Sequence, residues 1–449
     1  MRGGARFVAF ALVLSVQSAW AQGSGMGPAI GPQPGSGQAG VDIWSTLYPR
    51  PVQSTQIEPA STRQGDPDAS QPLGVPSGPF VIVPSITGAA FYDDNVFARR
   101  TNREGDWAYV LRPEIGWRSN NWSNAQINGG AFVEKRWYSK FASEDVTNFG
   151  VGTGGTYQPD ANTQLVGRVQ YLHGHEDRGT SDSITNTFTS PVSYDQLEAA
   201  GAINKRFDRF WTSIGAAAAW IRFTDPTLNG VTISQAYRNG EILSVPARLG
   251  YVVAPSTSVF VEVAGNRRNF NVDSFDSRGY RVVGGMLFEP GQGTRVKGEF
   301  FAGYMNQNYS GIGFQTVSTW TIGSALAFLV APNVTAVLES RRDAKEASLS
   351  GGVVPGDGVS VIQTVVAGRM DFRVAPKVVL GGGVGYVVDE FLGAGRTDRS
   401  WSPLFSAKYF ATRNLTLGFD YRYLNFDSSG LNVANYYKNV YLFSANLRM

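Results

Sequence analysis

The end of the chain shows an alternation of apolar and polar residues that runs through most of the sequence. From Tyr437 to Met449, one set of alternate positions holds Tyr437, Tyr441, Phe443, Ala445, Leu447 and Met449. The other set is more polar and includes Lys438, Ser444, Asn446 and Arg448. A period of two predicts a β-strand with one apolar face. An apolar edge of this kind exposes a soluble domain to aggregation, whereas a transmembrane barrel has to be closed by one.

The same alternation begins at Phe80 and continues to the end of the chain. Apolar residues occupy alternate positions from Phe80 to Tyr92, from Trp107 to Trp117, from Ala125 to Trp137 and from Leu415 to Tyr423. Aromatic residues often stand near the ends of these segments, as the interfacial girdles of a membrane barrel require. The pattern therefore predicts strands that face lipid on one side and a polar interior on the other.

Short turns and longer polar connections separate the predicted strands. Turn-forming residues occur at Asn120–Asn121, Pro159–Asn162, Phe207–Arg209, Ala254–Ser256, Pro290–Gly293, Ala331–Asn333, Ala375–Lys377 and Ala411–Arg413. Longer connections lie between them, among them Arg178–Ser193, Thr224–Ala236, Lys345–Gly358 and Leu392–Arg399. We predict strict alternation of short periplasmic turns and longer extracellular loops in an all-β, transmembrane, antiparallel up-and-down barrel of about 18 strands. A soluble propeller or solenoid is the alternative, but no blade-like repeat is visible.

Composition narrows the function classes. Charged residues make up only 17% of the 449 residues, and the formal net charge of +3 is too small to indicate nucleic-acid binding. With Cys 0 and His 2, the chain has no disulfide or thiolate metal site and is a poor candidate for a histidine-rich metal centre. We therefore expect no cofactor.

The N-terminal part differs from the rest. Residues 1–21 combine Arg2 and Arg6 with an apolar stretch and the small residues Ala19 and Ala21, which predicts a signal peptide for export through the Sec pathway. Residues 22–79 are rich in Gly, Pro and Ser, and we expect a disordered periplasmic segment. Residues 80–449 form the predicted barrel, which belongs in the outer membrane of a Gram-negative cell.

Three short motifs near the start of the barrel resemble a known family. They are Phe91-Tyr92-Asp93-Asp94-Asn95-Val96-Phe97, Asp106-Trp107 and Arg112-Pro113-Glu114-Ile115-Gly116. Together they are similar to the opening of the putative beta-barrel porin 2 family, over about Phe80 to Met449. The resemblance implies an eighteen-stranded outer-membrane barrel, and for some members an association with polysaccharide polymerisation and export. One departure is the last residue, Met449, where outer-membrane barrels usually end in Phe or Trp.

The polar faces of the strands carry both signs of charge. Candidate lumen-lining residues are Arg112, Glu114, Arg118, Glu134, Arg136, Arg168, Arg248, Arg295, Lys297, Glu299, Arg369, Asp371, Arg373, Asp420 and Arg422. Because charges in a barrel must face water or each other, ion-pair ladders explain most of them, with a role in cargo selection as the alternative. The excess of cations favours anionic or neutral hydrophilic solutes. Inward aromatic residues such as Phe132 and Tyr138 could stack on sugar rings or simply fill the wall.

Other chemical motifs are weak. The run His173-Gly174-His175-Glu176-Asp177 could bind a metal but is better interpreted as a loop at the mouth of the barrel. Asp93-Asp94-Asn95 could hold Ca²⁺, although an acidic turn is the simpler interpretation. No motif supports a Ser–His hydrolase, so we expect no enzyme activity.

Three functional hypotheses follow. The first, favoured by the family resemblance, is export of a polysaccharide across the outer membrane. The second is a general diffusion or uptake porin for small solutes, and the third is a structural or adhesion barrel with a plugged lumen. The expected partners are outer-membrane lipid, the barrel assembly machinery acting on the C-terminal strand, and periplasmic polysaccharide-export components.

Overall fold

The computed structural model describes residues 74–449 apart from 121, 180–187, 290–293, 351–353, 355, 431–432 and 434. Within these residues the chain forms eighteen long strands. They are β1 (Phe80–Asp93), β2 (Asp106–Ser119), β3 (Ala125–Tyr138), β4 (Val146–Asp160), β5 (Thr163–His175), β6 (Ser193–Phe207), β7 (Phe210–Phe223), β8 (Gly240–Ala254), β9 (Thr257–Phe270), β10 (Ser277–Phe288), β11 (Val296–Tyr309), β12 (Val317–Ala331), β13 (Val334–Ser348), β14 (Gly358–Ala375), β15 (Val378–Phe391), β16 (Arg396–Phe410), β17 (Leu415–Ser428) and β18 (Tyr436–Arg448). The predicted signal peptide, residues 1–21, and most of the segment 22–79 lie outside the described residues.

Each strand pairs antiparallel with the next, and the last pairs with the first. The closing ladder joins β1 to β18 from Ser85↔Arg448 to Asp93↔Val440. Closure leaves no long sheet edge in lipid, where an unpaired backbone group would cost several kcal/mol. The predicted antiparallel up-and-down barrel of about 18 strands is confirmed.

The two faces of the wall follow the alternation in the sequence. Large apolar residues at alternate positions are exposed on the outside, for example Trp107, Leu111 and Ile115 on β2. Their neighbours Arg112 and Glu114 lie on the opposite, inner face, where they form an ion pair. No helix of the described residues is long and apolar enough to cross a membrane.

The connections at one end of the barrel are mostly shorter than those at the other, but the difference in length is less strict than predicted. At the end where β1 starts, five turns contain only two residues, at 161–162, 208–209, 255–256, 332–333 and 376–377. The longest connections, 176–192 and 224–239, lie at the other end. Strict alternation is wrong, because 392–395 and 411–414 have equal length although they lie at opposite ends. The predicted long connection Leu392–Arg399 is a tight turn, since β16 already starts at Arg396.

We call the junction where β1 pairs with β18 the seam, and the contact of Asp94 with Asn439 at its upper end the clasp. A short strand lies at the other end of the seam. Val75–Ser77 folds back and pairs with Phe80–Ile82, below the point where β18 ends. This strand lies inside the segment 22–79 that the sequence predicts as disordered. It covers the edge of β1 that β18 is too short to reach, because the ladder with β18 starts only at Ser85.

At the opposite end of the seam, the motif Asp93-Asp94-Asn95 binds β18. Asp94 accepts hydrogen bonds from the backbone N (2.8 Å) and Nδ2 (2.7 Å) of Asn439. Asn95 Nδ2 donates to the carbonyl oxygen of Tyr437 at 2.9 Å. The residues that carry the family resemblance therefore fasten the first strand to the last.

Candidate functional site

The candidate site is the inner surface of the barrel, where predicted lumen residues from neighbouring strands form ion-pair ladders. On β8 to β11, Arg248 contacts Glu262 (Nε–Oε2, 2.5 Å) and Glu299 (Nη1–Oε2, 2.7 Å). Glu262 is fully buried and also accepts from Arg281 Nε at 2.8 Å. Each charge has an opposite partner, as a water-poor wall requires. This ladder fixes the wall and leaves little net charge for a solute.

A ladder with longer ion-pair distances lines β2 and β3. Arg112 lies 3.3 Å from Glu114 and 3.5 Å from Glu134, and its guanidinium stacks over Phe132 at 4.2 Å from the ring centroid. Glu134 also contacts Arg136 at 3.7 Å. The inward aromatic residue Phe132 therefore packs under an arginine and fills the wall.

A third pair of opposite charges joins the inner faces of β5 and β6. Arg168 lies 3.6 Å from Glu198, which also accepts a hydrogen bond from Gln170 Nε2 at 2.7 Å. Ion pairs between charged inward residues therefore occur on three separate arcs of the wall.

The arc from β14 through β18 to β2 is richer in basic groups. Arg369 binds Asp371 (Nη2–Oδ1, 2.8 Å) and Ser406 Oγ (2.9 Å), and Gly381 leaves the room that this contact fills. Arg373, on the same face as Asp371, forms no ion pair with a described carboxylate, and its buried Nε lacks a hydrogen-bond partner. This arc contains the matched pairs Arg396–Asp398 and Lys438–Asp93, Asp389 paired with Lys345, and Asp106, which accepts hydrogen bonds from backbone N–H groups. The other charged inward positions of the arc are Arg369, Asp371, Arg373, Lys408, Asp420, Arg422, Arg448, Arg112, Glu114 and Arg118.

Three predicted lumen residues stand apart from the ladders. Arg295 precedes β11 in a short connection, where it is exposed and its carbonyl oxygen accepts from Leu329 N, so it does not lie on the wall. Arg118 is exposed near the end of β2. Lys297 shares the inner face of β11 with Glu299 but forms no ion pair with a described carboxylate.

The connection after β5 folds across the mouth of the barrel. Its described start, residues 176–179, contacts strands and loops on both sides. Arg178 forms a buried bidentate pair with Glu144 (Nε–Oε2, 2.9 Å; Nη2–Oε1, 2.6 Å). The hydroxyl of Tyr436 on β18 donates to Gly179 O at 2.8 Å. Since β1 to β4 separate β5 from β18 along the wall, this segment spans that side of the mouth.

Two further contacts tie this segment down. Arg238, in the connection after β7, pairs with Glu176 (Nη1–Oε2, 2.8 Å) in a buried bidentate contact. Asp177 accepts from Arg136 Nη1 at 3.1 Å and lies 3.3 Å from His175 Nε2. Desolvation by burial acts to raise the pKa of Asp177. The hydrogen bond with His175 and the charge of Arg136 outweigh this effect, so the pKa of Asp177 lies below its ordinary value. The segment is anchored by charge-assisted hydrogen bonds.

A second element enters the lumen from the other side. Strand β13 pairs with β12 only from Val334 to Arg342, but with β14 as far as Ser348. Beyond Arg342, β13 separates from β12, while β14 stays paired with β15 as far as Val361↔Phe391. The end of the β13–β14 hairpin turns inward and packs against the inside of β9 to β12. We call residues 343–348 and 358–363 the infolded hairpin. Its Ala344 and Ile362 are buried together with the inward residues Met305 and Val317.

Polar contacts fix the infolded hairpin. Arg268 on β9 binds Glu346 at 2.8 and 3.0 Å and donates to the carbonyl oxygen of Ala344 at 3.0 Å. On the lumen side, Lys345 contacts Asp389 at 3.1 Å. Ser360 Oγ donates to Gln315 O at 2.7 Å. These contacts hold a structured hairpin where the sequence predicts a loop, Lys345–Gly358.

The two histidines that could bind a metal contact neighbouring side chains of the wall. His173 stacks on Phe149 with ring centroids 4.9 Å apart, and its Nδ1 lies 2.8 Å from Asp195 Oδ1. His175 Nδ1 lies 2.8 Å from Asn148 Oδ1. Within the described part of the chain, no group of three His, Cys, Asp or Glu side chains could hold a metal ion.

The closed barrel and its opening motif point to one protein family. The family model "Putative beta-barrel porin 2" matches residues 66–449. The chain belongs to this family. It is a porin-type barrel of the outer membrane, and the predicted family resemblance is confirmed.

Solved structures of other outer-membrane proteins are similar to the chain. Pseudomonas aeruginosa OpdL is 13% identical with a TM-score of 0.42, over 82% of this chain and 99% of that one. P. aeruginosa OpdO is 14% identical with a TM-score of 0.44, over 82% of this chain and 97% of that one. Acinetobacter baumannii OccAB4 is 12% identical with a TM-score of 0.42, over 82% and 98%. None of the curated proteins compared with the chain matches it.

Proposed function

We propose that the protein is a diffusion channel through which small hydrophilic solutes, preferentially anions, enter across the outer membrane. The observation that carries this proposal is the occupied lumen. The segment 176–179 spans one side of the mouth, and the infolded hairpin covers the inner wall of β9 to β12 on the other. Two anchored elements inside one barrel narrow the path to a size that suits small molecules better than a hydrated polymer.

The preference for anions rests on the basic arc. Outside the matched pairs, its inward charges are Arg369, Arg373, Lys408, Arg422, Arg448, Arg112 and Arg118 against Asp106, Asp371, Asp420 and Glu114. A wall with an excess of one sign of charge concentrates the opposite ion in the water beside it. The ladder on β8 to β11 is balanced, so it does not offset this excess.

The hypothesis of polysaccharide export finds no support in the contacts of the lumen or in the similar proteins. The inward aromatic residues Phe132 and Tyr138, which could stack on sugar rings, pack against Arg112 and Phe91 respectively. Delivery by the Sec pathway and insertion by the barrel assembly machinery through β18 remain part of the proposal.

Liposome swelling tests the proposed size limit. Barrels reconstituted into liposomes should admit monosaccharides and small sugar acids, with sugar acids entering faster than neutral sugars of equal size, and should exclude long oligosaccharides. Equal entry of long oligosaccharides would contradict the narrowed lumen.

A strain that lacks the protein separates uptake from export. We expect normal surface polysaccharide and slower growth on small organic acids supplied at limiting concentration. Loss of surface polysaccharide with normal growth would instead support export.

A further inference from the structure

Two arginines face each other on the outer surface of the barrel. Arg267 on β9 and Arg278 on β10 are direct partners in the antiparallel ladder, and both are exposed. Both share the outward parity of exposed apolar residues, Val261 and Val263 on β9 and Tyr280 and Val282 on β10. Like charges in a directly opposed cross-strand pair repel each other and destabilise the sheet.

Other outward arginines of this rim have acidic partners. Arg222 is opposite Asp195 in the ladder between β6 and β7, and Arg399 is opposite Asp427 between β16 and β17. Arg342 contacts Glu390 at 3.2 Å. Arg267 and Arg278 have no described carboxylate within ion-pair distance, so this arrangement departs from the rule that the rest of the rim follows.

Glu241, an acid on the neighbouring strand β8, forms no ion pair with either arginine. Glu241 on β8 accepts hydrogen bonds from Trp220 Nε1 (3.2 Å) and Asn269 Nδ2 (3.0 Å). Arg267 uses its Nε on Asn269 Oδ1 at 2.7 Å, which leaves its terminal nitrogens available. On the far side, the ladder partner of Arg278 is the neutral Asn308. The two guanidiniums therefore form a clamp for an anion.

The surface directly below the clamp is apolar and hollow. Gly265 is the ladder partner of Tyr280 and of Val245, and both of those side chains are 49% exposed. A Cβ placed at Gly265 would have no atom within 4 Å, so the glycine leaves an open notch between them. An aromatic residue at this level is typical of the membrane interface.

We propose that Arg267 and Arg278 bind the phosphate of a phosphorylated glycolipid in the outer leaflet, with an acyl chain of that lipid lying in the notch at Gly265. The two arginines lie next to the connection 271–276, at the end of the barrel that carries the long loops. Arginine forks bind phosphate through paired charge-assisted hydrogen bonds. A lipid phosphate removes the repulsion, and the apolar strip below it fits the lipid's hydrocarbon.

Binding of lipid A, a bisphosphorylated and acylated glucosamine disaccharide, tests the proposal. Fluorescent lipid A is titrated into the purified barrel in neutral detergent. We expect the variant Arg267→Gln/Arg278→Gln to bind at least about tenfold more weakly than the wild type. The control Arg222→Gln removes an outward arginine of the same rim that faces Asp195, and should bind like the wild type.

Two further arms distinguish a lipid from a free anion. Lipid A without its phosphates should lose the difference between wild type and double variant, because the clamp then has no ligand. Inorganic phosphate at millimolar concentration should not displace lipid A, because it makes no contact with the notch. Unchanged binding by the double variant, or full displacement by inorganic phosphate, would overturn the proposal.

A measurement of thermal stability distinguishes loss of lipid binding from a folding defect. In lipid-free detergent, Arg278→Gln should raise the temperature at which the barrel loses its compact gel mobility, because it removes the repulsion. With lipid A present, the same change should lower that temperature relative to the wild type. If Arg278→Gln shifted this temperature in the same direction with and without lipid A, the proposal would be contradicted.

Discussion

At the scale of single residues, most inward charges of the described wall have partners on the same strand, on a neighbouring strand or on an infolded segment. Arg136 shows the first and the third case, since it contacts Glu134 on its own strand and Asp177 in the connection after β5. Alternation in the sequence was enough to assign Arg136 and Glu134 to one face. It could not reveal Asp177 as a partner, because that contact depends on how a connection folds across the mouth.

The pH dependence of the Asp177 contact gives a residue-scale prediction. Folding lowers the pKa of Asp177, so its ionised form stabilises the folded protein above its unfolded pKa of about 3.9. That stabilisation is lost as the pH falls below this value towards the folded pKa. Asp177→Asn should therefore lower the thermal unfolding temperature by a constant amount between pH 7 and pH 5, and by less below about pH 4. A difference that vanishes already near pH 6 would contradict this assignment.

At the scale of elements, the strands were predictable and the infolded hairpin was not. The predicted first strand, Phe80–Tyr92, ends within one residue of β1 (Phe80–Asp93), because lipid requires strict alternation there. The hairpin end around Lys345 and Glu346 is polar and looks like a loop, yet it stays paired with β14. The sequence pattern also places the start of β16 too late, because the charged residues Arg396, Asp398 and Arg399 look like part of a loop.

Removing the infolded hairpin should widen the channel. We replace residues 345–361 by Asn-Gly, which joins the ladder partners Ala344 and Ile362 through a two-residue turn. Single-channel conductance should rise at least about twofold, because the lumen beside β9 to β12 is then open. An unchanged conductance would mean that the hairpin does not limit the path.

A variant that keeps the hairpin in place provides the control for that deletion. Ser360→Ala removes only the hydrogen bond from Ser360 Oγ to Gln315 O and leaves the contact of Arg268 with Glu346 intact. It should keep the wild-type conductance. Glu346→Gln alone leaves Arg268 buried without its counter-charge, at a cost of about 3–5 kcal/mol.

At the scale of the whole molecule, closure depends on the seam between the two ends of the barrel. The ladder, the clasp of Asp94 on Asn439 and the short strand Val75–Ser77 all lie along it. The alternating C-terminal strand predicted a closing partner, and β18 does pair with β1. The sequence could not show that Val75–Ser77 extends this seam, because three residues carry too little pattern.

The seam gives a prediction for the whole barrel. Asp94→Ala removes two hydrogen bonds to Asn439 and should lower the thermal unfolding temperature of the barrel by several degrees. Met449→Phe should leave the yield of folded barrel intact or improve it, because the Met449 side chain is 61% exposed and has room to grow. On a gel, the temperature at which the compact band disappears measures the effect of Asp94→Ala, and the fraction of compact barrel before heating measures the effect of Met449→Phe. A lower yield for Met449→Phe would show that the usual aromatic ending has no place here.

Single-channel recording of the wild-type barrel in a planar bilayer with a salt gradient is the most direct test of the proposed anion channel. We predict a steady conductance and a reversal potential that indicates preference for the anion. Arg373→Glu should reduce this preference. A silent barrel would mean that the infolded segments plug the lumen, and a preference for cations would contradict the role of the basic arc.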